Sequence, residues 1–266
     1  MVRGRAVTTW EGTDHVALER DGTIVRFAKE EHREKRAEEV RREAAILTAL
    51  AGVVTIPTPE PVLCQPDEGF LAYPKLPGTP LAHLPLPWRV PPGFATRIRE
   101  FLVRLHAFPL GHARELVELD VWPMGEWLDA ARQEYAAVAH HVPSELHGPI
   151  EHFLSAPVPE APGELVFCHN DLGIEHILVD PQTREITGVI DWADAAIADP
   201  AIDFARLYRD LGPSILDELC EDAEVKARAR FYGRCTVFED LAYGLDTGRE
   251  TYVTNSSAAL EWLFPG

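Results

Sequence analysis

Three side chains able to do chemistry stand close together in the sequence: Asp171, His176 and Asp191. The first two belong to Cys168-His169-Asn170-Asp171-Leu172-Gly173-Ile174-Glu175-His176, and the third closes Thr187-Gly188-Val189-Ile190-Asp191-Trp192. Apolar runs surround them. Residues 165–167 deliver the His-Asn-Asp loop, 177–179 lead away from it, and 186–190 stop on Asp191. The turn Asp180-Pro181-Gln182-Thr183 folds the second run back on the third, so the three side chains are expected to converge. Polar residues at the ends of buried strands are where a scaffold presents reactive groups. A carboxylate there can align a hydroxyl and accept its proton. Alternatively, His169, Asp171, His176 and Asp191 could together ligate a metal, as in a metal-dependent phosphoester hydrolase, although no H-E-x-x-H accompanies them.

The elements that position these groups start with a hairpin. Residues 16–19 and 23–27 read as the two strands of a hairpin around Asp21-Gly22, a favoured two-residue turn, with 10–14 as the loop before it. A helix is predicted over residues 31–51, with Val40, Ala44, Leu47 and Ala51 as its inward stripe. Glu43 falls inside that stripe, and a carboxylate on an apolar face needs a cation. Arg26, on the preceding strand, is the natural supplier, with Lys29 a weaker candidate; a plain structural ion pair has the same signature. Strands follow near 62–64 and 70–73. Seven prolines between residues 74 and 92 then exclude helix and central strand. Beyond them the chain turns mainly helical, around 94–106, 125–140, 143–155 and from Asp199-Pro200 onward.

Taken as a set, His169-Asn170-Asp171, His176 five residues after the Asp, and Thr187-Gly188-Val189-Ile190-Asp191-Trp192 resemble the catalytic segment of kinase-like phosphotransferases. The match is with the aminoglycoside phosphotransferase family, above all its 2''-O type, with the macrolide phosphotransferases next. It runs on through Asp194-Ala195-Ala196-Ile197-Ala198-Asp199-Pro200 to Asp203-Phe204. The glycine-rich phosphate cover of protein kinases is absent in its usual form.

That resemblance implies an α+β, two-lobed, protein-kinase-like fold. A small β-rich nucleotide-binding lobe would cover residues 1–76, and a larger, mostly helical catalytic and substrate-binding lobe residues 77–266. It implies transfer of the γ-phosphate of ATP or GTP to a hydroxyl of a small cationic acceptor, in first place an aminoglycoside, with a macrolide or other metabolite as alternative. Asp171 would be the catalytic base. Asp191 and His176 would hold Mg2+, although an imidazole is an unusual magnesium ligand. Arg26 and Glu43 would steady the nucleotide phosphates, and the linker Tyr73, Pro74 and Leu76 would meet the base. Asp194, Glu239, Asp240 and Trp262 would hold the acceptor; Glu239 and Asp240 equally suit a solvated helix face. His169, Asp199 and Asp203 would be structural braces.

Composition is consistent with this. At 266 residues, 46% hydrophobic and 26% charged, the chain can bury a full core. Its net charge of −18 is uneven: residues 1–76 hold 11 Lys/Arg against 13 Asp/Glu, residues 77–266 hold 14 against 30. That excludes a nucleic-acid groove. An acidic cleft draws in polycations, and excess surface carboxylates also serve solubility. The basic first residues lack an apolar core and no run is long enough to span a bilayer, so a soluble, cytoplasmic protein without membrane contact is expected. Four scattered cysteines argue against a disulfide or zinc framework.

Overall fold

The computed structural model describes residues 8–12, 14–85 and 90–265, so most of the basic start of the chain and part of the proline-rich stretch lie outside the described residues. The first strands form an antiparallel sheet: β1 (Thr8–Glu11), β2 (His15–Arg20) and β3 (Thr23–Ala28), then, after α1 (Arg33–Leu50), β4 (Leu63–Gln65) and β5 (Phe70–Pro74), in the order β1-β2-β3-β5-β4. Asp21 and Gly22 both have positive φ, 54° and 76°, which matches the twist of the strands they join. β3 turns Ile24, Arg26 and Ala28 inward, and α1 covers them. The buried face of α1 is Ala37, Val40, Glu43, Ile46, Leu47 and Leu50, rotated from the expected stripe so that Glu43 lies near its middle. β1 occupies part of the segment expected to be loop. All four of its residues are exposed, so it carries no hydropathy alternation to read.

The proline-rich connection leads into β6 (Thr79–Pro80), which pairs with the hairpin β8 (Ile177–Val179) and β9 (Ile186–Val189) after β7 (Val166–Cys168). Proline is tolerated in β6 because it is the edge strand. Helices build the rest: α2 (Phe94–His106), α3 (Leu110–Leu116), α4 (Met124–Val138) and α5 (His147–Ser155) come first. After β10 (Ala196–Ala198), which pairs with β7, come α6 (Ala201–Leu211), α7 (Pro213–Leu219), α8 (Ala223–Thr247) and α9 (Glu250–Leu263). The start of α6 is fixed by Asp199, whose carboxylate accepts the Ala201 N–H at 2.9 Å; Asp222 caps α8 the same way through the N–H groups of Glu224 and Val225. α6 packs against α8 and α9, and Phe101, Phe167, Trp192 and Phe238 are fully buried. The fold is thus α+β, with the sheet gathered at the N-terminal side and helices dominating the remainder.

Thr187 and Gly188 tie the linker to this frame. The Thr187 hydroxyl donates to the Pro77 carbonyl at 2.6 Å, and a Cβ on Gly188 would stand 2.7 Å from Leu76 Cδ1. A side chain at 188 would have to push the Leu76 methyl aside, so Gly188 lets the linker lie close against this strand. All four cysteines are unpaired. No helix among the described residues is long and apolar enough to cross a membrane.

Candidate active site

The loop after β7 is held by its own histidine. His169 is fully buried; its Nδ1 accepts the Asp171 N–H at 3.3 Å, which leaves Nε2 to donate to the Ile190 carbonyl at 3.0 Å. Burial lowers its pKa, in keeping with a neutral ring. The Ile190 N–H in turn donates to the His176 carbonyl at 3.0 Å. The two backbone polar groups of one residue, Ile190, thus join the two loops that carry Asp171 and Asp191. Asp203, on α6, completes the brace by accepting the His169 and Asn170 N–H groups at 3.2 and 2.8 Å, while His106 Nε2 meets it at 2.9 Å. Asn170 and Asp191 sit in the left-handed region at φ 69° and 65°, conformations that Asn and Asp tolerate best among side-chain-bearing residues.

These braces bring Asp171, His176 and Asp191 together. His176 Nδ1 donates to the Asp171 carbonyl at 2.7 Å and lies 3.4 Å from its carboxylate; Nε2 is 3.6 Å from Asp191 Oδ2. Against its burial, the two aspartates and Glu175 raise the His176 pKa to about 9. Burial also opposes the charge on Asp171, but Arg206 and His176 outweigh it and hold the carboxyl below its ordinary range.

Arg26 reaches across from β3. Its Nε lies 3.2 Å from Glu43 and its Nη2 donates to Asp191 Oδ1 at 2.5 Å. Burial works against this guanidinium, yet Asp191 and Glu43 raise its pKa; burial pushes Glu43 up to about 7 with Arg26 pulling the other way. Lys29 instead bonds Glu11 at 2.9 Å on the surface.

A cavity of about 1280 Å³ joins these groups, lined by Arg26, Glu43, Asp171, His176, Asp191 and Asp194 among others. Exposed Glu239 lines it too. Asp194 stands at the mouth, where enclosure and the neighbouring Asp171 and Asp191 carboxylates raise its pKa. The linker residues are set differently. Tyr73 is buried with its phenol beside Arg26, Pro74 ends β5, and Leu76 lies on Gly188; none of the three lines the cavity.

Two expected acceptor contacts are otherwise engaged. Asp240 reaches the cavity, but its carboxylate is 2.7 Å from the fully buried Arg209, so it serves as that cation's counter-ion. Trp262 does not line the cavity; its indole N–H donates to the Arg209 carbonyl at 3.0 Å. Among the described residues, the indoles on the cavity are Trp122 and Trp127. Sequence reasoning also passed over Arg206, whose Nε is 2.9 Å from Asp171 Oδ1. The signal was its place three residues after Asp203, on the same face of α6.

Fold and site geometry together define a kinase-like enzyme class. Residues 10–235 match the phosphotransferase enzyme family, and the chain belongs to it. Among solved structures, the GDP and kanamycin complex of APH(2")-IIia superposes with a TM-score of 0.71 at 22% identity, covering 97% of this chain and 92% of that one. The apoenzyme of macrolide 2'-phosphotransferase MphH from Brachybacterium faecium gives 0.63 at 23%, covering 97% and 93%. At such identities the likeness establishes the fold. An aminoglycoside 3'-phosphotransferase of Streptomyces fradiae is 44% identical over 48 residues, which span 18% of this chain and 18% of that relative.

Proposed function

We propose that this protein transfers the γ-phosphate of ATP or GTP to a hydroxyl of a small cationic acceptor, with an aminoglycoside as the leading class. In this reading residues 1–76 form the nucleotide-binding lobe and residues 77–266 the catalytic and acceptor-binding lobe. The observation that carries it is the convergence of Asp171, His176 and Asp191 opposite Arg26–Glu43 in one cavity. APH(2")-IIia accommodates GDP and kanamycin on the same fold, which supports both substrate classes.

Asp171 accepts a hydrogen bond from the acceptor hydroxyl, aligns it and takes its proton late. Its lowered pKa keeps it ionised and available for that bond. Arg206 fixes the orientation of the carboxylate. Arg26, held by Glu43, neutralises phosphate charge; the linker Tyr73, Pro74 and Leu76, expected to meet the base, lies outside the cavity. The donor set suits a hard divalent cation: Asp191 and Asp171 offer oxygens on a wall with surplus negative charge. Asp191 and His176 Nε2 would hold magnesium, His176 giving up its proton to do so; Nδ1 is committed to Asp171. When bound, the metal neutralises charge on the transferred phosphate. Asp194 and Glu239 attract the acceptor's ammonium groups.

The test is nucleotide turnover with and without kanamycin. Kanamycin is expected to stimulate ADP or GDP release, and Asp171→Ala to cut the stimulated rate by roughly 10²–10⁴-fold with little change in nucleotide affinity. Stimulation by a macrolide alone would move the acceptor class. Stimulation that survives Asp171→Ala would remove that residue from the mechanism.

A further inference from the structure

Arg26 has a neutral companion on its wall of the cavity. His15, the first residue of β2, places Nδ1 3.1 Å from Arg26 Nη2. In the β2–β3 register His15 opposes Ala28 and Arg26 opposes Ala17, so the two side chains leave neighbouring strands on one face. A guanidinium has only hydrogens to give, so Nδ1 accepts and the ring proton sits on Nε2. The same Nη2 gives its other hydrogen to Asp191, which commits that nitrogen fully. Burial and the charge of Arg26 push the ring down to about 4, which keeps it neutral.

The proton on Nε2 meets no acceptor among the described residues. Glu43 Oε2 stands 3.9 Å away, beyond hydrogen-bond reach. Nor is the ring sealed: it lines the cavity with 14% of its side chain exposed, whereas the unpartnered Arg26 Nε behind it is fully buried. Other donors nearby are already engaged. The Gly12 N–H gives to the His15 carbonyl at 2.9 Å. Lys29 Nζ gives to Glu11 and to the Gly12 carbonyl at 2.9 and 2.7 Å, and Arg42 Nη2 to the Ala193 carbonyl at 2.8 Å. Between β1 and β2 the chain carries glycine at position 12 alone, so the glycine-rich run that would aim several backbone amides at a phosphate is missing.

We propose that the Nε2–H of His15 is a neutral hydrogen-bond donor to the phosphate chain of the nucleotide, working beside the charged Arg26. This deepens the phosphotransfer reading above and rests on it. An N–H needs an acceptor, which a phosphate oxygen provides and an ammonium group cannot. The lack of charge has a use. A second cation pressed against the guanidinium would repel it, whereas an N–H adds directional hold without adding charge. The ring also resists a second proton when phosphate arrives, because Nδ1 would have to give up its bond from Arg26. His15 thus does with one side chain what the missing backbone amides would otherwise do.

The experiment titrates full-length protein labelled with ¹⁵N-histidine, using ATP or GTP, tripolyphosphate and adenosine in turn. Long-range proton–nitrogen spectra, with His15 assigned through His15→Gln, are expected to show the Nε2–H tautomer in the free protein. The Nε2 resonance should move with the nucleotide and with tripolyphosphate, and stay in place with adenosine. An Nδ1–H tautomer overturns the proposal, as does an Nε2 that stays still while calorimetry shows nucleotide bound; a ring that only steadied Arg26 would behave in that second way. Affinity gives an independent arm. His15→Leu is expected to weaken nucleotide binding about ten- to a hundredfold, the worth of a hydrogen bond to a charged group, with adenosine affinity changed by less than about twofold. His15→Gln keeps an oxygen for Arg26 and an N–H for phosphate, and should bind nucleotide within about threefold of wild type. Wild-type nucleotide affinity in His15→Leu overturns the assignment. If Nε2 responds to nucleotide but neither kanamycin nor a macrolide is phosphorylated, the transfer reading falls for those acceptors and the donor stands. If neither nucleotide binds at millimolar concentration, both fall.

Discussion

On the wall contributed by residues up to 76, four Arg and Lys side chains face five Asp and Glu; on the wall from residue 77 onward, two face eight, counting the described residues that line the cavity. The first wall is nearly balanced and its central charge, Arg26, is buried and fixed by Glu43. The second is strongly acidic, and its carboxylates are partly held by Arg206 and His176. The contrast separates two electrostatic tasks in one cleft. A preorganised cation suits phosphate oxygens, whereas surplus carboxylates focus negative potential on a metal or an ammonium group. The difference also appears in the two histidines. His15, beside Arg26, is pushed down to about 4 by burial and by that cation, while His176, between two aspartates, is raised to about 9.

The largest effect should come from unbalancing the first wall. Arg26→Ala leaves Glu43 buried without its cation, and such a change costs about 3–5 kcal/mol. Denaturant unfolding reads it, and the double variant Arg26→Met/Glu43→Leu should recover most of the loss. A single variant that unfolds like wild type would mean the pair is not fixing the wall.

Next comes the opposition of the histidines. The folded-state pKa of His176 lies above its ordinary 6.5, so its stabilising contribution is full below pH 6.5 and is lost as pH rises through about 9. The folded-state pKa of His15 lies below 6.5, so the unfolded chain takes up the proton first and stability falls as pH drops from 6.5 toward about 4. The contributions of these two groups together are greatest near pH 6.5, each amounting to at most about 3 kcal/mol. Urea midpoints across pH measure this. His176→Asn should flatten the alkaline flank and His15→Gln the acid one; an unchanged profile in either variant would break the contrast.

The smallest effect sharpens the second wall. Arg206 lowers the Asp171 pKa, so Arg206→Gln should move the acid limb of kcat/KM to higher pH. An unshifted limb would show that His176 alone sets the ionisation of Asp171.

Local patterns carried much of this in the sequence. The strand-loop-strand-turn-strand order around Asp171 and Asp191 is legible because each apolar run is short and ends on a polar group. The Arg26–Glu43 pair is legible because Glu43 falls within an apolar helical stripe and so needs a partner. The link of Arg206 to Asp171, and that of Arg209 to Asp240, were hidden because those carboxylates lie far away in the chain and only tertiary packing joins them. The same packing turned Trp262 onto the Arg209 carbonyl and left Trp122 on the cavity. Nothing in the hydropathy of either tryptophan distinguishes them. β10 escaped notice because three residues are too few for a period to appear.

The backbone of Ile190 has a mechanical consequence. Its N–H and its carbonyl are both spoken for by histidines of the other loop, so Asp191 cannot slide relative to Asp171 without tearing two hydrogen bonds. Any breathing of the cleft then divides its chemistry into a stationary half and a travelling half. The aspartates keep their spacing, and the contact that such breathing would have to break is the one from the β3 guanidinium to Asp191.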